Sequence, residues 1–414
     1  MIPITNEEGE MMKASIIIPS YNAKERLYLN LLSLSYQDYP HQDFEVIVID
    51  NGSTDDTIDM LSKFEAKFPL ITLRVNQNRG IASGRNLGIL KANGDILIFH
   101  DSDMIASKDY VRKHIEAHQE KNKVVCGLCW LRIYSFYYEN FKSFHQQLFK
   151  RLNNPYTEVQ QVNDIVYQLI SEKQIKDGSF MNYSFEFDNV ILFSYLKQTL
   201  QTYKENLTGY HFPWRYFLTN NASVERKRVL EIGLFDEKNA NWGFEDFDLG
   251  YRLYKSGSEF SVRHDIISAH QEHERNYTTK EIKASTDYWF EKYNEIDYID
   301  MLLSLLFDIA SIFPPMEPII ESTHLNSLME EIYEIRKLSK YSDLLDFFRE
   351  MLQIAKKKYL KQEDQIQLND LGKSIDFNIV FQKVNEIHEK FGKIHFYNAF
   401  FALNNYISNS FSTK

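Results

Sequence analysis

A short apolar run that ends at two carboxylates constrains this chain more than any other stretch. Residues 96–99 read Ile-Leu-Ile-Phe, and after His100 come Asp101, Ser102 and Asp103. Four consecutive apolar residues predict a strand that is covered on both faces, as in a parallel sheet. Because ligands of open α/β sheets bind beyond the carboxyl ends of the strands, both aspartates are expected at the mouth of a cleft. Close carboxylates repel each other, so a shared divalent cation is one prediction, and a polar turn that caps a helix is the alternative.

The composition is that of a globular protein without a basic surface. The chain has 414 residues, of which 43% are hydrophobic and 25% charged, and its net charge is −11. This length allows two domains, and the negative charge argues against a nucleic-acid partner because phosphate binding needs a basic surface. Two cysteines, Cys126 and Cys129, are too few for a disulfide framework, and a single Cys-x-x-Cys pair does not complete a zinc site.

Nothing in the sequence predicts a membrane span. Residues 1–13, an N-terminal extension, are acidic where a signal peptide would be basic. The most hydrophobic later run, 299–313, is short and contains Asp300 and Asp308. We therefore expect a cytoplasmic protein.

Predicted strands and helices alternate over the first hundred residues. Strands are expected at 15–18, 44–50 and 71–75, and a helix at 81–92 precedes the strand at 96–99. This alternation predicts an α/β fold with a Rossmann-like, doubly wound, mostly parallel sheet. Neither Gly-x-Gly-x-x-Gly nor Gly-Lys-Ser/Thr follows any of these strands, so the usual dinucleotide and P-loop binding modes lack their phosphate-binding backbone.

Four motifs occur in order across residues 14–104. They are Pro19-Ser-Tyr21-Asn22 after the first strand, Asp50-Asn-Gly-Ser-Thr-Asp-Asp after the second, Asn78-Arg-Gly-Ile-Ala-Ser-Gly-Arg85-Asn in the helix, and Gly94-Asp95 before the Asp-x-Asp strand. In this order and spacing they resemble the nucleotide-binding half of family 2 glycosyltransferases, which have the GT-A fold.

The resemblance implies a site for a UDP-sugar and for Mn²⁺ or Mg²⁺. Asp50 would contact uracil, the planar guanidinium of Arg85 suits a diphosphate, and Asp101 with Asp103 would hold ribose and metal. For Asp50 the alternative is a helix-capping residue, and for Arg85 it is a surface salt bridge. The residues implied in nucleotide-sugar binding on this side are Pro19, Tyr21, Asn22, Asp50, Asn78, Arg85, Asp101 and Ser102.

A second group of motifs falls in residues 213–277. Trp242-Gly243-Phe-Glu245-Asp246-Phe-Asp-Leu resembles the acceptor-side half of chondroitin polymerases and β-galactosyltransferases. By that resemblance Asp246 is the catalytic base, Glu245 is a catalytic residue that binds the donor sugar, and Trp242 with Gly243 forms a platform for a sugar ring. The alternative is an acidic helix N-terminus whose carboxylates interact with the helix dipole.

Two histidines follow in the segment Ser268-Ala-His270-Gln-Glu-His273-Glu. Chondroitin polymerases place a metal-binding histidine in a similar His-Gln-Glu segment, which implies His270 as a metal ligand beside Asp101 and Asp103. His273 is the alternative ligand, because related galactosyltransferases use residues three apart, and helical spacing would also put both histidines on one face. Imidazole together with carboxylates suits manganese.

The resemblance weakens between the two halves and ends near residue 278. Residues 124–212 are rich in Tyr and Phe, and we interpret them as a helical insertion over the cleft that shapes acceptor choice; an ordinary helical subdomain is the alternative. The glycosyltransferase domain would thus span 14–277. Helical spacing of Leu325, Leu328 and Ile332 predicts an all-helical region at 278–414, which could hold an acceptor, a partner or a second copy of the chain, or only support the fold.

These features predict an inverting, metal-dependent glycosyltransferase that moves a sugar from a UDP-sugar to an acceptor. The acceptor would be a hydroxyl, or another nucleophile, on a glycan, glycolipid or peptide. The alternative is a catalytically silent scaffold of the same fold whose C-terminal region binds a partner. A nucleotidylyltransferase is disfavoured because the segment at Pro19 is not a Gly-rich phosphate loop.

Overall fold

The computed structural model describes most of the chain, with short gaps. The described residues are 13–119, 122–128, 130–152, 156, 158–186, 191–241, 243–274, 278–312, 319–320, 322–360 and 377–408. Trp242, Cys129 and residues 1–12 of the predicted N-terminal extension lie outside them. Among the described helices, none has the length and apolar character required to span a membrane.

The chain divides into two compact units. The first consists of residues 1–188, 204–207 and 213–278, and the second of residues 189–203, 208–212 and 279–414. The domain boundaries expected from the sequence, 14–277 and 278–414 with an insertion at 124–212, stay a prediction.

The secondary-structure elements are numbered in chain order. The strands are β1 (Ala14–Ser20), β2 (Phe44–Asp50), β3 (Leu70–Arg74), β4 (Ile96–Phe99), β5 (Met104–Ala106), β6 (Lys123–Leu128), β7 (Leu131–Ile133), β8 (Phe136–Tyr138), β9 (Gln160–Asn163), β10 (Val166–Gln168), β11 (Phe185–Glu186), β12 (Ala222–Glu225) and β13 (Glu259–Gln271). The helices are α1 (Lys24–Leu34), α2 (Thr57–Lys63), α3 (Ile81–Lys91), α4 (Tyr110–Glu116), α5 (Ser143–Arg151), α6 (Glu172–Asp177), α7 (Ile191–Tyr203), α8 (Arg226–Ile232), α9 (Glu245–Lys255), α10 (Thr279–Lys292), α11 (Ile299–Ile312), α12 (Leu325–Arg336), α13 (Ser342–Tyr359), α14 (Phe377–Phe391) and α15 (Ile394–Ser408).

A central mixed sheet organises the first unit. Its strand order is β11-β7-β13-β6-β12-β4-β1-β2-β3, and β5 pairs with β13. The half containing β3, β2, β1 and β4 is parallel, whereas β12 runs antiparallel between β4 and β6. β13 is parallel to both β6 and β7. The predicted doubly wound, mostly parallel α/β sheet is confirmed.

Side chains alternate along each strand, so the continuous apolar strands of the parallel half present apolar side chains on both faces. Helices cover both of these faces. Ile16 and Val46 share one apolar core with Leu27 of α1. On the other face α3 lies so close to the sheet that a Cβ added at Gly88 would be 2.7 Å from Cγ2 of Ile17. The strands are therefore buried on both sides, as their continuous apolar sequences predict.

The segment 124–212, predicted as helical, is a mixture of helices and short strands. It contains α5, α6 and α7, but also the three-stranded sheet β8-β10-β9. Aromatic side chains fit a pleated surface well, and this explains how a run such as Phe136–Tyr138 becomes a strand. Tyr134 and Phe141 are buried in the apolar core of this region, as expected for an ordinary subdomain.

The described part of the second unit is helical, which confirms the prediction for the C-terminal region. Its α13 packs against both α11 and α15. Leu325, Leu328 and Ile332 on α12 are buried, as their helical spacing predicts. Lys356 of α13 forms an ion pair with Asp287 of α10 at 2.5 Å.

Candidate active site

The predicted nucleotide-binding residues lie at the carboxyl edge of the parallel strands. Ser20 at the end of β1 pairs in register with Asp50 at the end of β2. Asn22 has a positive φ of 49°. Its Oδ1 accepts a hydrogen bond from the backbone N of Thr54 at 2.8 Å, and its own N donates to Oγ of Ser53 at 2.9 Å. Asn22 therefore joins the loops that follow β1 and β2.

One carboxylate oxygen of Asp50 accepts a backbone hydrogen bond, and the other faces an exposed arginine. Oδ1 accepts a hydrogen bond from the backbone N of Ser53 at 3.1 Å, so the residue does stabilise a local turn. Oδ2 is buried and has no hydrogen-bond partner among the described residues; Nε of Arg74 lies 3.4 Å from it. The sequence reasoning missed Arg74, although it ends β3 and pairs in register with Asp50.

The other predicted donor-side residues differ in exposure. Pro19 is buried within β1, and Tyr21, just beyond this strand, is 46% exposed. Asn78 is exposed, and its Oδ1 accepts a hydrogen bond from the backbone N of Gly80 at 2.8 Å. Ser102 is half-buried in the turn between β4 and β5. Their contacts with a nucleotide-sugar stay predictions.

Arg85 joins the two groups of sequence motifs. Its side chain is 2% exposed, and Nη2 donates to Oδ1 of Asp101 at 2.9 Å while Nη1 donates to Oε1 of Glu245 at 2.8 Å. Burial acts to lower the pKa of Arg85, but Asp101 and Glu245 raise that pKa above its ordinary value. Instead of forming a surface salt bridge, the guanidinium is a buried cation between two carboxylates.

The Glu245-Asp246 pair lies at the beginning of α9. Gly243 and Phe244 both have positive φ angles, 109° and 67°, and so turn the chain sharply into the helix. Glu245 is buried, and its Oε2 accepts a hydrogen bond from the backbone N of Gly243 at 3.2 Å. Asp246 is half-buried. Burial, followed by the neighbouring charge of Glu245, raises the pKa of Asp246 to about 8.

Asp103, His270 and His273 form the one group of potential metal ligands found among the described residues. A donor atom from each lies within 4.8 Å of the others. Oδ2 of Asp103 is 3.4 Å from Nε2 of His270 and 2.9 Å from Nε2 of His273. Oδ1 of Asp103 is buried and has no hydrogen-bond partner within the described ranges. Two imidazole nitrogens and the carboxylate of Asp103, whose Oδ1 is the oxygen without a hydrogen-bond partner, form a donor set that fits Mn²⁺.

Asp101 lies outside this group, and its Oδ1 accepts a hydrogen bond from Nη2 of Arg85. Burial raises the pKa of Asp101, and Arg85 opposes that increase. Its predicted role as a metal ligand stays a prediction. The two histidines meet Asp103 through a different local structure from the expected one: His270 is in strand β13, and His273 follows just after the strand ends. A helical spacing was the wrong reason for placing them together.

Comparisons with known proteins agree with these motifs. The family model described as "Glycosyl transferase family 2" matches residues 15–175. The uncharacterized glycosyltransferase YfnE of Bacillus subtilis (strain 168) is 45% identical over 397 residues, which cover 95% of this chain and 97% of that protein. Chondroitin synthase of Pasteurella multocida (strain Pm70) is 28% identical over 62% of this chain, but the match spans only 24% of the synthase.

Among solved structures, Staphylococcus aureus TarS 1–349 in complex with UDP-GlcNAc is similar over 85% of this chain and 93% of that chain, with 16% identity and a TM-score of 0.41. The near full-length match to YfnE extends through both groups of motifs and the C-terminal helices. The chain belongs to glycosyl transferase family 2 and is a glycosyltransferase with the predicted GT-A fold.

Proposed function

We propose that this glycosyltransferase moves a sugar, with inversion of the anomeric centre, from a UDP-sugar to a nucleophile on a glycan, glycolipid or peptide, and that it requires Mn²⁺ or Mg²⁺. The observation that supports this most is the contact of Arg85 with both Asp101 and Glu245. It joins the motif expected to bind the nucleotide to the motif expected to bind sugar and acceptor.

Asp50 and Tyr21 support a uridine nucleotide as the donor. The buried Oδ2 of Asp50 is a hydrogen-bond acceptor at the sheet edge, and uracil offers an N–H donor. Tyr21 is exposed beside it and provides an aromatic surface for a base. Arg74, near the same oxygen, adds a donor that suits a uracil carbonyl.

Asp246 is the residue whose environment suits a general base. A carboxylate with a pKa near 8 holds a proton more strongly than an ordinary aspartate, and efficient bases have pKa values near the working pH. Asp246 takes the proton of the acceptor hydroxyl as the acceptor oxygen bonds to the anomeric carbon. The bond from that carbon to the diphosphate breaks, and its electron pair leaves with UDP.

The buried Glu245 is held by Arg85 and Gly243, so its position beside Asp246 is fixed for contacts with donor-sugar hydroxyls. Asp103, His270 and His273 would hold the metal ion, which when bound supplies positive charge that stabilises the departing diphosphate. A second carboxylate on the opposite face of the sugar, as a double-displacement mechanism requires, has no assigned candidate, and this favours inversion.

A thermal-shift screen tests the donor and the metal together. UDP and a panel of UDP-sugars are compared with GDP-mannose and ADP-glucose, each with and without Mn²⁺. Only a ligand that binds the folded protein raises its melting temperature. We expect increases with uridine nucleotides that are larger with Mn²⁺. Equal responses to all nucleotides, or none, would reject the proposal.

The stereochemistry is tested by proton NMR of the product made from an α-linked UDP-sugar. A β-linked product is expected, and an α-linked product would exclude the inverting mechanism. Hydrolysis of the same UDP-sugar in the presence of Mn²⁺ separates an active enzyme from the scaffold alternative. The predicted platform at Trp242, a homo-oligomer formed through the C-terminal helices, and a cytoplasmic location stay predictions.

A further inference from the structure

A buried carboxylate that the proposed chemistry does not use lies directly beside His270. Glu272 and His270 are two positions apart on an extended chain, so their side chains point to the same face. Both are buried, with exposures of 6% and 7%. The intervening Gln271 points the other way, where it accepts a hydrogen bond from Ser135 and donates to the backbone O of Arg26.

The backbone of this segment is fixed on both sides. The backbone N of Gln271 donates to the backbone O of Asp103 at 2.7 Å, and the backbone N of Glu272 donates to the backbone O of Ile133 at 2.8 Å. His270 itself pairs in register with Met104 of β5 and with Arg132 of β7. His270 therefore lies in a paired strand, and Glu272, the first residue after that strand, is held by its backbone hydrogen bond to Ile133.

The contact between these two side chains determines which ring nitrogen carries the proton. Oε1 of Glu272 lies 3.1 Å from Nδ1 of His270. An ionised carboxylate can only accept hydrogen bonds, so Nδ1 must be the donor. In the neutral imidazole the lone pair is then on Nε2, the atom that lies 3.4 Å from Oδ2 of Asp103. A metal ion needs this lone pair.

His273 is oriented in the same way by a different group. Its Nδ1 lies 2.8 Å from the backbone O of Glu274, and its Nε2 lies 2.9 Å from Oδ2 of Asp103. A carbonyl oxygen also only accepts, so Nδ1 of His273 donates as well, and Nε2 is the ring nitrogen that faces Asp103. The two histidines thus present equivalent atoms, but the partner of His270 is a carboxylate side chain, which can be removed by mutation.

Arg132 holds Glu272 from the adjacent strand. Its Nη1 lies 3.3 Å from Oε1 of Glu272, and its side chain is 7% exposed. Nδ1 of His145 lies 3.9 Å from Oε2 of the same carboxylate. A buried carboxylate needs such a cation nearby to remain ionised. Oε1 of Glu272 therefore lies near both the guanidinium of Arg132, which balances its charge, and Nδ1 of His270.

We propose that Glu272 is a positioning residue that fixes the Nδ1–H tautomer of His270 and so prepares Nε2 for a metal ion. The inference rests on the metal dependence under the proposed function. Carboxylates that hydrogen-bond to metal-ligating histidines orient the ring and raise its basicity. Without Glu272, Asp103 would draw the ring proton to Nε2, where it blocks the metal.

The tautomer is measured in the metal-free protein by long-range ¹H–¹⁵N NMR of ¹⁵N-histidine at pH 8, with His270→Asn and His273→Asn for assignment. We expect Nδ1–H for His270 in the wild type and a shift to Nε2–H in Glu272→Ala. The matched control is Glu274→Ala, because it deletes a nearby carboxylate but keeps the backbone carbonyl that orients His273. That control should leave both rings unchanged.

Mn²⁺ titration followed by electron paramagnetic resonance gives the second readout. Loss of such a partner typically weakens metal binding by about 10- to 100-fold, so we expect this loss in Glu272→Ala and wild-type affinity in Glu274→Ala. Glu272→Gln, whose amide oxygen can still accept from Nδ1, should keep the Nδ1–H tautomer and much of the affinity. The melting curve of Glu272→Gln also checks that the protein still folds when this buried residue is changed.

The tautomer result separates this inference from the proposed function. If His270 keeps Nδ1–H in a folded Glu272→Ala protein, the positioning role is wrong. If the wild type does not bind Mn²⁺, the proposed metal dependence fails, and the NMR comparison still decides whether Glu272 sets the tautomer of His270.

Discussion

Arg85 donates a hydrogen bond to Glu245, 160 positions further along the chain, with 2.8 Å between Nη1 and Oε1. The same guanidinium binds Asp101 at 2.9 Å. Burying an arginine is costly unless its charge is matched by well-placed partners, and here two carboxylates match it. This arrangement fixes the spacing between the donor-side and acceptor-side motifs. A substitution of Arg85 therefore tests whether the two motifs act together.

Arg85→Lys should reduce UDP release from a UDP-sugar by about 10²-fold, because a lysine ammonium cannot bind two carboxylates in the planar geometry of a guanidinium, and misplaced groups cost rate on this order. A coupled UDP assay measures the change. Arg112→Lys is the matched control, since Arg112 also bridges two carboxylates, those of Asp38 and Glu116, but on the surface. If Arg85→Lys and Arg112→Lys both had wild-type activity, the bidentate contact of Arg85 with Asp101 and Glu245 would not be needed.

The pH dependence of kcat/KM should follow the ionisation of Asp246. Because its pKa is raised to about 8, this carboxyl group is protonated below that pH and cannot accept the acceptor's proton. The rate should therefore rise with pH and level off above about pH 8. A profile that is already flat between pH 5 and 8 would mean that the base has an ordinary carboxyl pKa or is another residue.

Asp103→Ala should weaken UDP binding mainly when Mn²⁺ is present, because Asp103 contributes a carboxylate to the group with His270 and His273. Calorimetric titration of UDP with and without Mn²⁺ measures the difference. Asp109→Ala, which removes a surface partner of Lys113, is the control and should behave as the wild type. If Mn²⁺ changes UDP affinity in neither the wild type nor Asp103→Ala, the group is not a metal site.

A buried histidine, His114, and a half-buried one, His118, should make the protein sensitive to acid. His114 and His118 both contact Oγ of Ser223 at 2.8 Å, and the Nδ2 group of Asn221 donates to two backbone carbonyls, so its Oδ1 accepts from Nε2 of His114. This network satisfies both ring nitrogens of a neutral His114 and Nε2 of His118, whereas Nδ1 of His118 is buried and has no hydrogen-bond partner among the described residues. Burial lowers the pKa of His114 to about 3 and that of His118 to about 4.

Their contribution to stability is complete above the unfolded-state pKa of about 6.5 and is lost as the pH falls toward 4, because the unfolded chain then binds more protons. When the pH falls from 7 to 5, each ring should lower the free energy of unfolding by on the order of 1–2 kcal/mol. Urea denaturation at the two pH values measures this loss. His118→Gln should reduce the pH dependence, and an unchanged dependence would place its origin elsewhere.

The sequence predicted the parts of the site that are encoded locally. An apolar run followed by Asp-x-Asp identified β4 and its aspartates, and the spacing of strands and helices identified the parallel sheet. The resemblance to chondroitin polymerases named His270, with His273 as the alternative, and the structure brings both histidines together with Asp103. Burial and a strand's two-residue alternation are properties of short segments, so one sequence is enough to show them.

Pairings over long separations could not be predicted in this way. Arg85 was assigned to the diphosphate because its planar guanidinium suits that group, and nothing near it in sequence reveals its contact with Glu245. Glu272 was part of the quoted His-Gln-Glu segment, but its role depends on knowing that the segment is a strand next to Arg132. The two-residue alternation of an extended chain, and not the helical spacing considered for the two histidines, places Glu272 beside His270.

The most direct test of the central claim is UDP release from a UDP-sugar in the presence of Mn²⁺, measured for the wild type and Asp246→Asn, with Glu231→Gln on the surface of α8 as control. The asparagine cannot accept the proton, so turnover should fall by about 10²-fold or more while UDP affinity stays close to that of the wild type. The control, Glu231→Gln, should match the wild type in turnover and in UDP affinity. Wild-type turnover by Asp246→Asn would contradict the account.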